Sequence, residues 1–196
     1  VSADSETGEG RRAGGAERAE GEGAGVEAVC LDAGLNRVGL AAELGAASAD
    51  HLVKTSPEDM RAMAAAGTVA VSLPCTPFGL ADPHYTPARD ILAAGGTLAI
   101  ASDLNPGTGW CENMQFVIAL SCRYLRLTPA QAIAAATING AAALGLDDRV
   151  GSIEAGKQAD LLVLKVDDYR HLGYRFGTNL AHMVIKRGVI YPVDEI

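Results

Sequence analysis

Residues 99–109 read AIASDLNPGTG, an apolar run that ends at Asp103 and continues directly into an Asn-Pro-Gly-Thr turn. Asp and Asn are common turn residues because their side chains bond to nearby backbone groups, so turn formation alone would explain this sequence. A carboxylate at the end of a buried strand also suits a metal ion, or the proton transfer that metal-bound water requires. This stretch by itself leaves both interpretations open.

Strand-like and helix-like stretches alternate along the chain around this turn. Ser56 and Thr128 each precede a proline that opens a helical pattern, and Thr86 has the same position in TPARDILAAGG. Such residues are typical helix N-caps, with proline favoured at the first helical position. The pattern predicts helices over 39–47, 56–67, 86–95, 112–125 and 128–145, strands over 48–52, 68–74, 96–102 and 159–166, and a last short strand within 182–192.

The predicted strands are continuously apolar, which is typical of parallel strands covered on both faces. His51, Cys75 and Asp103 each stand at or just past the carboxyl end of one of them, at intervals of about 25 residues, the length of one βα unit. Functional groups of α/β barrels collect at that end of the strands. An open doubly wound sheet would give the same rhythm, so the spacing alone does not separate the two folds.

Composition excludes several classes of function. The chain has 196 residues and a formal net charge of -8, and its 16 Lys and Arg residues form no basic stripe, so we expect no nucleic-acid partner. We find no apolar run near the ~20 residues of a membrane span and expect no membrane partner. The four cysteines form no CxxC pair, which favours reduced thiols and a cytoplasmic location. Residues 1–25 are rich in Gly, Glu, Ala and Arg, and we predict that this segment is disordered.

The side chains that could carry chemistry each have a simpler structural explanation. His51 could bind a metal or transfer a proton, but an isolated histidine is more often held by hydrogen bonds in a partly buried site. Asn105, Gly107 and Thr108 could offer an amide, an unhindered backbone N–H and a hydroxyl to a polar substrate, or they could simply form the turn. Cys75 has no histidine beside it in sequence, so a buried thiol is favoured over a nucleophile.

Four stretches together resemble one protein family. LAAELGAASADHL, SDLNPGT followed by NMQF, LTPAQAIAAATINGAAALGL and GSIEAGKQADLLVL are similar to the C-terminal half of the imidazolonepropionase family, which lies in the metal-dependent amidohydrolase superfamily. The resemblance covers roughly residues 35–191. It implies an α/β fold with a partial TIM-like barrel over 26–150 and part of a small β-sandwich over 151–196.

The resemblance also implies an activity and a set of site residues. Family members hydrolyse the ring amide of 4-imidazolone-5-propanoate to N-formimidoyl-L-glutamate, in histidine degradation, with water activated by one zinc or iron ion. Asp103 matches the aspartate that ligates the metal and takes a proton from the water, and His51 matches the histidine that polarises or protonates the reacting group. Asn105 and Gly107 match positions that hold the carboxylate end of the small-molecule substrate, and Thr108 matches a hydroxyl that contacts the ring. The resemblance leaves open whether the chain forms a homodimer.

The chain departs from this family at the metal site. It has no His-x-His pair, and the stretch that should carry a His-Ala-Asp-Glu motif reads CLDAGLNRVGLAAELG. Asp103 is then the one expected ligand that remains, whereas a catalytic zinc normally has about three protein ligands. We therefore expect an incomplete enzyme that is inactive alone. The alternatives are another cyclic-amide hydrolase or deaminase of the same superfamily, and a non-catalytic assembly module.

Overall fold

A computed structural model describes residues 27–28 and 38–193 of the chain. The segment predicted to be disordered lies outside these residues. The strands are β1 Glu27–Ala28, β2 Ser48–Asp50, β3 Val69–Ser72, β4 Leu98–Ile100, β5 Leu161–Leu164, β6 Ala181–Lys186 and β7 Val189–Pro192. The helices are α1 Val38–Glu43, α2 Pro57–Ala66, α3 Cys75–Gly79, α4 Ala88–Ala93, α5 Met114–Tyr124, α6 Pro129–Ala136, α7 Ile138–Ala143 and α8 His171–Tyr174. None of these helices is long and apolar enough to cross a membrane.

Four parallel strands, in the order β1-β2-β3-β4, form the sheet that the alternating pattern predicts. Helices connect consecutive strands, so the chain has the α/β architecture expected from its sequence. Each strand is only two to four residues long, and β3 and β4 are buried along their whole length. The continuous apolar character of these strands therefore reflects burial on both faces of the sheet.

The two faces of the sheet belong to two hydrophobic clusters. Ala70, Leu98 and Ile100 join the larger cluster, which includes the buried methionines of α2 and the inner face of α5. Val71 and Ala99 point to the opposite face, where they pack with Ala143 of α7. Because side chains alternate along a strand, neighbouring residues of β3 and β4 stabilise different layers of the molecule.

Two of the three predicted N-caps are confirmed. The Ser56 hydroxyl accepts a hydrogen bond from the Asp59 N–H at the start of α2, and Gly67 ends this helix in the left-handed conformation. Thr128 caps α6 in the same way, and the Gln131 side chain accepts a hydrogen bond from the Thr128 N–H to complete a capping box. Both caps are short-range interactions within four residues, which is why the sequence predicts them.

The prediction that Thr86 caps the next helix is wrong. Helix α4 begins after Pro87 and has no side-chain cap. The Thr86 hydroxyl is instead buried and donates to the His51 carbonyl oxygen at 2.6 Å, while it accepts from the Ser72 hydroxyl at 2.9 Å. A carbonyl 35 residues away in sequence is therefore its hydrogen-bond acceptor. These two bonds, which we call the hydroxyl relay, connect β3 with the turn that follows β2.

Several predicted elements end earlier than expected or are divided. The helix predicted over 39–47 ends at Glu43, and the helix predicted over 128–145 is broken at Thr137 into α6 and α7. The last predicted strand is in fact a hairpin of β6 and β7, in which Arg187 and Gly188 both have positive φ. That backbone suits the tight turn of a two-residue hairpin, which the β-branched residues on both sides of it obscure in the sequence.

Strands β5, β6 and β7 form a separate antiparallel sheet. Asp160, just before β5, accepts hydrogen bonds from the Lys186 ammonium and from the Arg187 N–H, which fixes the strand against the hairpin turn. Hydrogen bonding from Lys186 lowers the pKa of the Asp160 carboxyl to about 2. Apolar side chains are exposed on both faces of this sheet, among them Leu162, Val184, Ile190 and Tyr191.

Helix α3 ends against the loop that follows β4. A methyl group added to Gly79 would lie 2.1 Å from the Thr108 carbonyl oxygen, far inside van der Waals contact. Because both groups are backbone or directly attached to it, neither can move aside as a flexible side chain would. The absence of a side chain at Gly79 therefore lets the helix approach this loop.

We expect Thr86→Val to destabilise the chain by roughly 1–3 kcal/mol, because valine leaves the buried His51 carbonyl and Ser72 hydroxyl without their partner. Thr178→Val is the matched control, since Thr178 is exposed and should change the free energy of unfolding by less than about 0.5 kcal/mol. Urea denaturation followed by circular dichroism measures both. Equal midpoints for the two variants would contradict the structural role of the relay.

Gly79→Ala should destabilise the chain by roughly 1–3 kcal/mol, because the new methyl group forces α3 and the loop apart. Gly177→Ala adds the same methyl group where no atom lies within 4 Å, and should be close to neutral. Denaturation midpoints and amide NMR shifts of residues 105–109 provide the measurement. The expectation fails if the alanine at position 79 leaves both the midpoint and these shifts unchanged.

Candidate functional site

The carboxyl ends of β2, β3 and β4 bring three predicted residues to one edge of the parallel sheet. His51 follows β2, Cys75 lies just beyond β3 and Asp103 lies just beyond β4. The spacing of strands in a sheet places the backbones of β2 and β4 about 10 Å apart, with the end of β3 between them. Groups that project from these ends can therefore approach a small molecule from two sides.

Asp103 has an unusual backbone and a fixed side chain. Its φ of 51° lies in the left-handed region, which few residues other than glycine, asparagine and aspartate adopt readily. Its carboxylate accepts a hydrogen bond of 2.5 Å from the hydroxyl of Thr76, the second residue of α3. The carboxylate is therefore directed towards the residues that follow β3, the strand that lies between β4 and β2.

His51 also has a left-handed backbone, with a φ of 69°, and Leu52 beside it has a φ of 61°. The hydroxyl relay holds the His51 carbonyl, and the Thr55 hydroxyl donates to the Leu52 carbonyl at 2.9 Å. Left-handed backbone costs about 1–2 kcal/mol for such residues and persists only where the surrounding contacts enforce it. Both predicted catalytic residues thus have left-handed backbones immediately after their strands.

The loop after Asp103 forms a compact turn around one side chain. The Asn105 amide oxygen accepts hydrogen bonds from the N–H groups of Gly107 and Thr108, at 2.9 and 2.8 Å, and from the Thr108 hydroxyl at 3.2 Å. The Asn105 amide nitrogen donates to the Asp103 carbonyl oxygen at 2.7 Å. The groups that the sequence offers to a substrate are thus used to shape the turn. One N–H of Asn105 and the oxygen lone pairs of Thr108 have no role in these bonds.

Cys75 is buried beneath this loop, as the sequence predicts. Burial, together with a hydrogen bond to the Cys111 thiol, raises the pKa of the Cys75 thiol to about 12. A thiol with so high a pKa remains protonated at neutral pH, and only the thiolate is a strong nucleophile. The environment of Cys75 is therefore that of a packing residue.

The residues that the structure describes do not complete a metal site. Within residues 27–28 and 38–193, no three His, Cys, Asp or Glu side chains lie close enough together to hold an ion. Asp103 is the one predicted ligand among them, and its carboxylate is bonded to Thr76. One carboxylate is fewer than the three or so protein ligands of a catalytic zinc.

Two hydroxyl residues that shape this edge were not among the predicted site residues. Thr76 orients Asp103, and Thr86 orients the turn that carries His51. The partner of each lies far along the chain, at 27 and 35 residues, so no local pattern identifies the pair. The sequence signal for Thr76 is its position, because it follows the end of β3 just as His51 and Asp103 follow the ends of β2 and β4.

Comparison with known proteins agrees with this description. The model of the Amidohydrolase family matches residues 5–190. An imidazolonepropionase from Herpetosiphon aurantiacus is 56% identical over 157 residues, which cover 80% of this chain and 37% of that protein. An imidazolonepropionase from Symbiobacterium thermophilum is 45% identical over 180 residues, which cover 91% of this chain and 42% of that protein. The chain therefore spans less than half the length of these relatives and corresponds to a C-terminal fragment of them.

Solved structures show the same fold. An adenosine deaminase from Xanthomonas campestris with bound zinc has a TM-score of 0.68 and 26% identity, over 77% of this chain and 39% of that one. A 5-methylcytosine deaminase from Klebsiella pneumoniae has a TM-score of 0.70 and 20% identity, over 84% of this chain and 46% of that one. Since the family model matches nearly the whole sequence, the chain belongs to the amidohydrolase family.

Proposed function

We propose that this chain is the C-terminal part of an imidazolonepropionase-type hydrolase, which opens the ring amide of 4-imidazolone-5-propanoate to N-formimidoyl-L-glutamate. The identity of 45–56% to imidazolonepropionases supports this substrate over other cyclic amides. The observation that carries the proposal is the pair of left-handed residues, His51 and Asp103, at the carboxyl ends of β2 and β4, on either side of β3 in one parallel sheet. Non-glycine residues held in this region of backbone conformation gather at active sites.

The fold supports a division into two structural parts. We propose that the parallel sheet over 26–150 is the last portion of a TIM-like barrel, and that the antiparallel sheet over 151–196 is part of a β-sandwich. Zinc or iron is the proposed ion of the complete enzyme, with Asp103 as the ligand that the described residues contribute. Because the described residues do not form a complete metal site, the ion would need further ligands from outside them.

Asp103 is the proposed base that takes a proton from the attacking water. The Thr76 hydrogen bond holds one carboxylate oxygen and leaves the second free to accept that proton. His51 is proposed to polarise the ring carbonyl or to protonate the departing nitrogen. It follows β2, so β3 lies between it and Asp103. General acid and base groups of this kind contribute about 10²–10⁴-fold to a rate.

The turn around Asn105 is the proposed binding site for the propionate end of the substrate. Asn105 has one N–H left for a carboxylate, and Gly107 keeps the surface of the turn open because it has no side chain. Thr108 is proposed to contact the ring through its hydroxyl oxygen. We also propose a homodimer and a cytoplasmic location, the latter on the free thiols of Cys75, Cys111 and Cys122.

A deaminase of the same family is the second candidate function. The 26% identity to an adenosine deaminase favours it over unrelated hydrolases. Water attack at a ring carbon is common to both reactions, so Asp103 and His51 would keep their roles. The two candidates differ in the substrate that the Asn105 turn accepts, since only imidazolonepropionate brings a flexible carboxylate to it.

The 196-residue chain alone should show no hydrolysis of imidazolonepropionate and should retain less than about 0.1 equivalent of zinc or iron after dialysis, because one carboxylate cannot hold either ion tightly. Metal content by mass spectrometry and product formation by absorbance measure these two properties. A stoichiometric ion together with turnover would contradict our assignment of an incomplete site.

A chimaera tests the proposed roles directly. The 157-residue matching region of the Herpetosiphon aurantiacus relative is replaced by the corresponding residues of this chain, and hydrolysis of imidazolonepropionate is measured. We expect activity, and a loss of about 10²–10⁴-fold in kcat for Asp103→Asn and for His51→Asn. Asparagine is chosen because it accepts the left-handed backbone at both positions.

Asp90→Asn on the exposed surface of α4 is the matched control and should keep kcat within about twofold. A chimaera that deaminates adenosine or cytosine but leaves imidazolonepropionate intact would favour the second candidate. A folded chimaera in which Asp103→Asn retains full activity would rule out the proposed base.

A further inference from the structure

The aromatic residues of this chain are concentrated at one place. The sequence contains three phenylalanines, five tyrosines and one tryptophan. All three phenylalanines and two tyrosines meet where α3, α5 and the segment after α8 come together. Phe78 contacts Phe116 edge-on at 5.4 Å between ring centroids, and Tyr85 stacks on Tyr124 at 4.5 Å.

These rings surround a cavity of about 210 Å³, lined by Phe78, Phe116, Leu120, Arg123, Tyr124 and Phe176, which we call the aromatic cavity. Phe78, Tyr124 and Phe176 remain 46%, 47% and 54% exposed. Large aromatic side chains normally bury most of their surface, so a group of half-exposed rings around a cavity is typical of a binding site.

Arg123 brings a positive charge to the wall of this cavity. Its guanidinium lies 4.8 Å from the centre of the Phe176 ring and donates to the carbonyl oxygens of Ala119, Gly173 and Tyr174. An arginine has five N–H donors, so these three bonds fix its position and leave two donors for another acceptor. Among the residues that the structure describes, no carboxylate forms an ion pair with Arg123.

We propose that the aromatic cavity binds a small planar anion, a carboxylate attached to a single aromatic ring. Aromatic walls favour a flat ring, and the two remaining donors of Arg123 suit a carboxylate. The volume of the aromatic cavity limits the size of its ligand. A cavity of roughly 150 Å³ accepts a benzene, and drug-sized ligands need about 300 Å³ or more. A single ring with one carboxylate lies between these limits.

This site is separate from the proposed hydrolase site. None of its lining residues is His51, Asp103 or a member of the Asn105 turn. Its ligand is aromatic and is not transformed, whereas the proposed substrate is a non-aromatic ring that is opened. The proposal therefore stands or fails independently of the hydrolase assignment.

Benzoate is the probe, titrated into the full 196-residue chain and followed by amide NMR shifts. We expect saturable shifts confined to residues 78, 116–124 and 173–176, with a dissociation constant on the order of 1 mM, as suits a ligand of about nine non-hydrogen atoms. Cyclohexanecarboxylate has the charge without the flat ring, and benzyl alcohol has the ring without the charge. Each should bind at least about fivefold more weakly.

Arg123→Met should raise the dissociation constant for benzoate at least about tenfold, because it removes the charge that faces the carboxylate. Arg89→Met on the exposed surface of α4 is the matched control and should leave binding unchanged. Phe176→Leu keeps the carbonyl contacts of Arg123 and should still weaken benzoate binding about threefold. This second variant keeps the test valid if Arg123→Met disturbs the local fold.

Four results would each overturn the proposal. They are an absence of saturable shifts up to about 20 mM benzoate, shifts located elsewhere, equal affinity for cyclohexanecarboxylate, and unchanged affinity in Arg123→Met. Sedimentation addresses a competing occupant. A dimer that buries the aromatic cavity and excludes benzoate would assign this surface to a second copy of the chain.

Discussion

The carboxyl edge of the parallel sheet depends on one buried pair of hydrogen bonds. Ser72 at the end of β3 donates to Thr86, and Thr86 donates to the carbonyl of His51 after β2. Both hydroxyls are buried among apolar side chains, where an unpaired polar group costs roughly 1–3 kcal/mol. The relay therefore gives the His51 carbonyl a hydrogen-bond donor where the chain leaves β2 in a left-handed turn. The position of His51 follows from this constraint.

The segment that follows β4 is also held in place by hydrogen bonds from side chains. Thr76 orients the carboxylate of Asp103, and Asn105 gathers the backbone of the following loop around its amide. The Asp103 side chain and the His51 backbone are thus each held by a hydroxyl from a distant part of the chain. Such support is what a reactive group needs if it is to keep one orientation. The similarity to imidazolonepropionases and the geometry of this edge lead to the same residues, although the chain corresponds to only 37–42% of those relatives.

Short-range patterns in the sequence predicted most of the parallel sheet and the caps of α2 and α6, because a capping hydroxyl and its acceptor lie within four residues. Thr86 was misassigned because its local pattern is the same as that of Thr128, while its real acceptor lies 35 residues away. The hairpin of β6 and β7 was taken for one strand because Arg187 is a rare residue at a left-handed position. Asp103 and His51 could be predicted from their places after strands, and the bonds from the N–H groups of Gly107 and Thr108 to Asn105 form the turn that the sequence offered as one of two interpretations.

Leu52 links the conformation of this edge to the interior of the protein. It has a left-handed backbone beside His51, yet its side chain is only 3% exposed and belongs to the main core. Burial of a leucine contributes about 1.5–3 kcal/mol, which offsets the strain of such a backbone. We therefore expect the two left-handed residues to open and close together with the core around Leu52. Protection of their amides from hydrogen exchange should rise and fall with the packing of that core, so a distant change in packing can alter the fraction of time for which the histidine is in place.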